Sequence, residues 1–183
     1  MSNEAKMLVF VNCQMACIKI AGRANFTSSL DFKTVVEELT QRSIQRLVLD
    51  LTNCVLMDST FLGVLSGFGL KAYSANNGQS NGSNGSPHVP NIELMNPNPR
   101  ISDLLENLGV LHLFKVVHGS CDELSKIATA PVAVPSGDAS REQITRNCLE
   151  AHKTLMEVTP ANVPKFKEVT EFLAQDLRKM KSE

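Results

Sequence analysis

Tryptophan is absent and there is a single tyrosine, so no aromatic platform for stacking bases or sugars stands out. Charge of one sign is lacking too: 18 Lys and Arg stand against 19 Asp and Glu, a formal net charge of −1. A phosphate backbone demands a basic face, which argues against nucleic acid as a main partner. No stretch approaches the roughly 18 apolar residues of a membrane span. The five cysteines, Cys13, Cys17, Cys54, Cys121 and Cys148, are odd in number and form no C-x-x-C. With no apolar leader, they read as reduced thiols in a cytoplasmic protein. His88, His112, His118 and His152 have no metal-ligand spacing with those cysteines, so no metal or other cofactor is expected. There is no G-x-S-x-G elbow and no Walker motif. The Ser, Asn and Gly run from Ser74 to Ser86 lacks the Gly-Lys-Ser/Thr of a phosphate loop and follows a helix instead of preceding one. It reads as a flexible insertion.

What is present suffices for one core: 183 residues at 43% hydrophobic, too short for two ordinary domains. Met7–Asn12 and Met15–Ala21 read as a β-hairpin, after which residues 22–26 leave the second strand. A helix capped by Ser28 or Ser29 runs to about Arg42, with Phe32, Val35, Val36 and Leu39 on one face. Asn91–Met95 reads as a strand. Asn98 and Pro99 open a helix that Gly109 ends, and Leu113–Val117 is a further strand. Prolines at 131 and 135 mark an extended linker or a segment lying along the domain. Ser140 and Gln143 fit a capping box, with Ile144, Cys148, Ala151, Leu155 and Met156 as the stripe that follows. A last helix from about Val163 to Lys181 carries Phe166, Val169, Leu173, Leu177 and Met180. The pair suggests an antiparallel helical hairpin. Its stripes are covered by each other, by the first domain, by a second copy or by a partner.

The chain is organised around residues 47–65. Leu47–Leu51 reads as a buried strand, Thr52–Cys54 as a turn, and Asp58-Ser59 as the start of a helix. Phe61, Leu62, Val64, Leu65, Phe68 and Leu70 leave that helix almost no polar face. Gly63, Gly67 and Gly69 each lower its propensity by roughly 1 kcal/mol. Such a helix is packed closely on one side and covered on the other, either as a buried core helix or as a partner-binding surface.

Asp58-Ser59-Thr60-Phe61-Leu62-Gly63, after a strand ending in Asp50-Leu51 and before a helix, resembles the signature of the STAS domain, whose best-known members are bacterial anti-sigma-factor antagonists. The resemblance covers about the first two-thirds of the chain. It implies an α/β fold, a mixed β-sheet with helices on one side in the order β-β-α-β-α-β-α-β. The expected organisation is a STAS domain at 1–121 with an insertion at 74–90, a linker at 122–138 and a C-terminal α-helical hairpin at 139–183. It implies no enzyme but a transcription regulator that binds an anti-sigma factor serine kinase while unphosphorylated. Phosphorylation at Ser59, with Thr60 the second candidate, switches it off, and a phosphatase would reverse the switch. Partner contacts are implied at Arg23, Asn25, Asp58, Ser59, Thr60, Phe61, Val64 and Leu65. Antagonists usually have Gly where Phe61 stands, and a ring there would reshape the docking surface. A rival role within the same fold is an accessory subunit of a membrane lipid-transport ATPase, bound constitutively to the nucleotide-binding subunit through the same helix. A small enzyme using Asp58 and Ser59 lacks a supporting acid, base or metal constellation.

Overall fold

The computed structural model describes residues 5–76, 90–120 and 131–181. Most of the Ser/Asn/Gly insertion, much of the linker, and Cys121 lie outside them. Strands β1 (Lys6–Val11), β2 (Met15–Ala24), β3 (Arg46–Met57), β4 (Asn91–Met95), β5 (Lys115–Val117) and β6 (Val132–Ala133) form one sheet in the order β5-β4-β3-β2-β1-β6. β1 pairs antiparallel with β2 and β6, and the other neighbours are parallel, so the sheet is mixed. Through β5 this is the β-β-α-β-α-β-α-β order expected from the sequence.

Helices α1 (Phe26–Gln41), α2 (Ser59–Asn76) and α3 (Pro99–Asn107) contribute to one core with the sheet. Phe32, Val36 and Leu39 of α1 meet Phe61, Leu62 and Leu65 of α2 over Ile18, Leu47 and Leu49. The Phe32 and Phe61 rings lie 4.9 Å apart between centroids, and both side chains are fully buried. Outside this layer, α4 (Arg141–Val158) packs along α2, and α5 (Val163–Met180) packs on α4. The two C-terminal helices thus pack on each other, and Ala151 and Leu155 of α4 join the same core as α2.

Several boundaries differ from the sequence expectation. β3 does not turn at Thr52–Cys54 but continues to Met57, and β2 continues to Ala24 beside it. Two register shifts between these strands break the regular alternation that a sequence pattern reads. α1 is capped by Asn25, not by Ser28 or Ser29. Asn25 Oδ1 accepts from the Ser28 amide at 3.1 Å, while Ser28 Oγ accepts from the Asn25 amide at 2.9 Å. The expected strand over Leu113–Val117 begins as a 3-10 turn, Leu111–Leu113. Part of the proline-bearing segment lies along the domain: β6 pairs with β1, and the Gly137 amide donates to Asp31 Oδ1 at 3.2 Å. α3 keeps its expected ends. Asn98 caps it with Pro99 following, and Gly109 leaves it at φ 68°.

Candidate functional site at the start of α2

β3 delivers the chain to Asp58, whose amide donates to the Ala24 carbonyl at 3.0 Å and extends the β2–β3 pairing by one residue. The Asp58 carboxylate then serves two helices. Oδ1 accepts from the Phe61 amide at 2.8 Å, capping α2, and Oδ2 accepts from the Phe26 amide at 2.7 Å at the start of α1. A charge-assisted cap on each side fixes the angle at which α2 leaves the sheet.

Ser59 is the first residue of α2 and is half-buried. Its Oγ lies 2.9 Å from His152 Nε2 on α4. His152 Nδ1 lies 2.8 Å from the Cys148 carbonyl oxygen, which can only accept, so in the neutral ring the proton sits on Nδ1. Nε2 is then the acceptor and the Ser59 hydroxyl donates to it. The His152 ring also packs on Phe166 of α5, 5.0 Å between centroids. Thr60 is buried and its hydroxyl donates to Cys148 Sγ at 3.6 Å. Burial pushes the Cys148 thiol up, the Asp58 carboxylate adds to that, and the Thr60 hydrogen bond offsets part of it. Burial likewise pushes Cys54 up to about 11. Neither is a thiolate nucleophile at neutral pH.

A serine donating to an imidazole is the arrangement of an activated nucleophile, but the group orienting His152 is a backbone carbonyl, not a carboxylate. Clefts of about 580 Å³ beside Lys19 and Asp50 and about 470 Å³ between α1 and β6 are lined by neither Ser59 nor His152. Among the described residues no cluster of His, Cys, Asp and Glu could hold a metal ion, and no helix is long and apolar enough to cross a membrane.

The sequence-derived site residues come together only in part. Asp58, Ser59 and Thr60 share the first turn of α2. Arg23 is exposed on β2 opposite Leu56, and Asn25 is engaged in the α1 cap. Phe61 and Leu65 are fully buried and Val64 is 9% exposed, so none of the three faces solvent in this conformation. The ring at position 61 fills the core against Phe32; its expected reshaping of an outer docking surface is not what the packing uses it for. The outer side of α2 is occupied by α4. A Cβ on Gly63 would lie 2.4 Å from the Ala151 carbonyl oxygen, so the backbones touch there. Sequence reasoning passed over His152. The available signal was its place four residues after Cys148 and three before Leu155, inside an otherwise apolar stripe.

No family model matches the chain, and no curated protein matches it. Among solved structures it is similar to the anti-sigma factor antagonist SpoIIAA in its unphosphorylated form, at 13% identity and TM-score 0.49, covering 66% of this chain and 94% of that one. The phosphorylated form of SpoIIAA, a Bacillus cell fate determinant, matches at 13% identity and TM-score 0.49, over 66% and 96%. An anti-sigma factor antagonist from Mycobacterium paratuberculosis matches at 13% identity and TM-score 0.47, over 69% and 95%.

Proposed function

We propose that this chain is an anti-sigma-factor antagonist that binds an anti-sigma factor serine kinase while Ser59 is unphosphorylated and releases it once Ser59 carries phosphate. The observation that supports the reading is the position of Ser59: the first residue of an apolar helix, directly after the Asp58 cap, within the motif that resembles the STAS signature. Phosphate adds about −1.5 to −2 charges at neutral pH. Free N–H groups and the dipole at a helix N-terminus favour an anion, so α2 itself tolerates it. A partner interface covering that position does not, because burying an uncompensated charge costs several kcal/mol. The fold survives modification while partner binding fails.

The test is the affinity of Ser59 variants for the host's anti-sigma factor kinase. Ser59→Ala is expected to bind as the unmodified protein does. Ser59→Asp is expected to bind at least about a hundredfold more weakly, roughly 3 kcal/mol. Equal affinity of the two variants refutes the switch.

A further inference from the structure

We propose that the α4–α5 hairpin is a built-in occupant of the outer face of α2, and that Ser59 becomes available to a kinase only when the hairpin swings away. This rests on the reading of Ser59 as phosphoacceptor. In the transfer, Ser59 Oγ bonds to the γ-phosphorus of ATP as the bond to the bridging oxygen breaks. ADP leaves and the hydroxyl proton passes to the kinase's base. In the closed chain that proton is already donated to His152 Nε2, and α4 lies over the next turn at backbone contact through Gly63 and Ala151. A second protein has no room on this face until α4 leaves.

The two sides of α2 are built differently. The inner side is the Phe32–Phe61 packing over the sheet, with exposures near zero. On the outer side Ala151 and Leu155 of α4 join the core, but the edge of the seam, where α4 meets α1, is polar and imperfect. Asn147 donates to Ser29 Oγ at 2.8 Å, but its buried Oδ1 has no hydrogen-bond partner among the described residues. Lys33 and Glu150 form a solvent-accessible pair at 3.1 Å, and a cleft of about 140 Å³ runs between α1, α2 and α4. α5 adds little cover of its own: Phe172 is 66% exposed, and Thr170 is its buried residue. A seam with an unsatisfied carbonyl and exposed ion pairing opens at lower free energy than the sheet.

The experiment uses the full chain carrying Gly67→Cys and Thr154→Cys, with the exposed Cys13 changed to Ser. A Cβ at position 67 would sit 3.7 Å from Thr154 Cγ2 and 4.0 Å from its Oγ1, the γ positions a cysteine sulfur takes, so a small approach of the helices lets a disulfide pin α4 to α2. Amide exchange is followed by mass spectrometry, and Ser59 modification is measured by peptide mass after incubation with host lysate and ATP. Reduced protein is expected to exchange α4 amides at least about tenfold faster than β3 amides and to acquire phosphate on Ser59. Oxidation is expected to slow α4 to the rate of β3 and cut Ser59 modification at least about tenfold, with full recovery on reduction. His152→Ala, without the disulfide, is expected to raise the modification rate about tenfold. Equal Ser59 modification in oxidised and reduced protein overturns the proposal, as does α4 exchanging in step with β3 when reduced. If α4 opens locally but Ser59 stays unmodified in both states, the phosphoacceptor reading fails and takes the gating role with it.

Discussion

Replacing Gly63 by alanine is the sharpest test of the α2–α4 contact. Judged on α2 alone, the change is favourable: alanine in a helix interior is worth about 1 kcal/mol over glycine. The packing reverses the sign. The new Cβ would lie 2.4 Å from the Ala151 carbonyl oxygen, 2.7 Å from its carbonyl carbon and 2.8 Å from its Cβ. None of these atoms is the end of a flexible side chain, so α4 must retreat by about 1 Å to restore ordinary separation. Overpacking of this kind costs about 1–3 kcal/mol. The expected net change in urea unfolding is therefore a loss of up to about 2 kcal/mol. Protection of α4 amides should fall by about 5- to 150-fold, and that of β3, which follows the net change in global stability, by no more than about 30-fold. Gly67→Ala, one turn on, is the internal control. Its Cβ would meet Thr154 Cγ2 at an ordinary 3.7 Å, so it should stabilise by about 1 kcal/mol. If Gly63→Ala also stabilises and leaves α4 protection unchanged, the hairpin does not lie against Gly63 and the account of a covered α2 fails.

Two further predictions concern the frame around the site. Asp58→Ala removes the acceptors of both the Phe61 and Phe26 amides and should cost about 2–3 kcal/mol in chemical denaturation; a loss under about 0.5 kcal/mol would mean that the shared cap is not formed in solution. Glu93 is held below its ordinary value of 4.5, first by the hydrogen bond from Arg46 at 2.6 Å, with the charges of Arg46 and Lys115 adding to it. A carboxylate with a lowered folded value contributes stability that is fully present above 4.5 and is lost as the pH falls through the folded value. The acid limb of the unfolding free energy should therefore flatten in Glu93→Gln, and acid limbs that run parallel in the two proteins would contradict it.

Local chemistry was legible where one residue type has one use. Asn98 and Pro99 opening α3, Gly109 closing it, and the Ser140–Gln143 box at α4 follow from backbone needs that few other residues meet. The stretch from Thr52 to Met57 was not legible, because the bulged pairing of β3 with β2 exposes Thr52 and Asn53 while burying Cys54 and Met57, and such a pattern resembles a turn. β6 is two residues long and exists through its pairing with β1, which no local pattern announces. The glycines of α2 suggested close packing on one side and cover on the other. What supplies the cover depends on a chain segment some ninety residues away: Ser59 and His152 are 93 positions apart, and their meeting is a property of the tertiary structure alone. The N-terminal turn was read as a site from its residues, whereas its engagement by the chain's own hairpin could not be.

The switch proposed at Ser59 has a readout in the cell itself. The most direct measurement is a phosphopeptide map of the protein purified from its own host during growth and under stress. Phosphate on Ser59 is expected, with an occupancy that changes between the two conditions. An unmodified peptide spanning Asp58 to Leu65 in both conditions would contradict it.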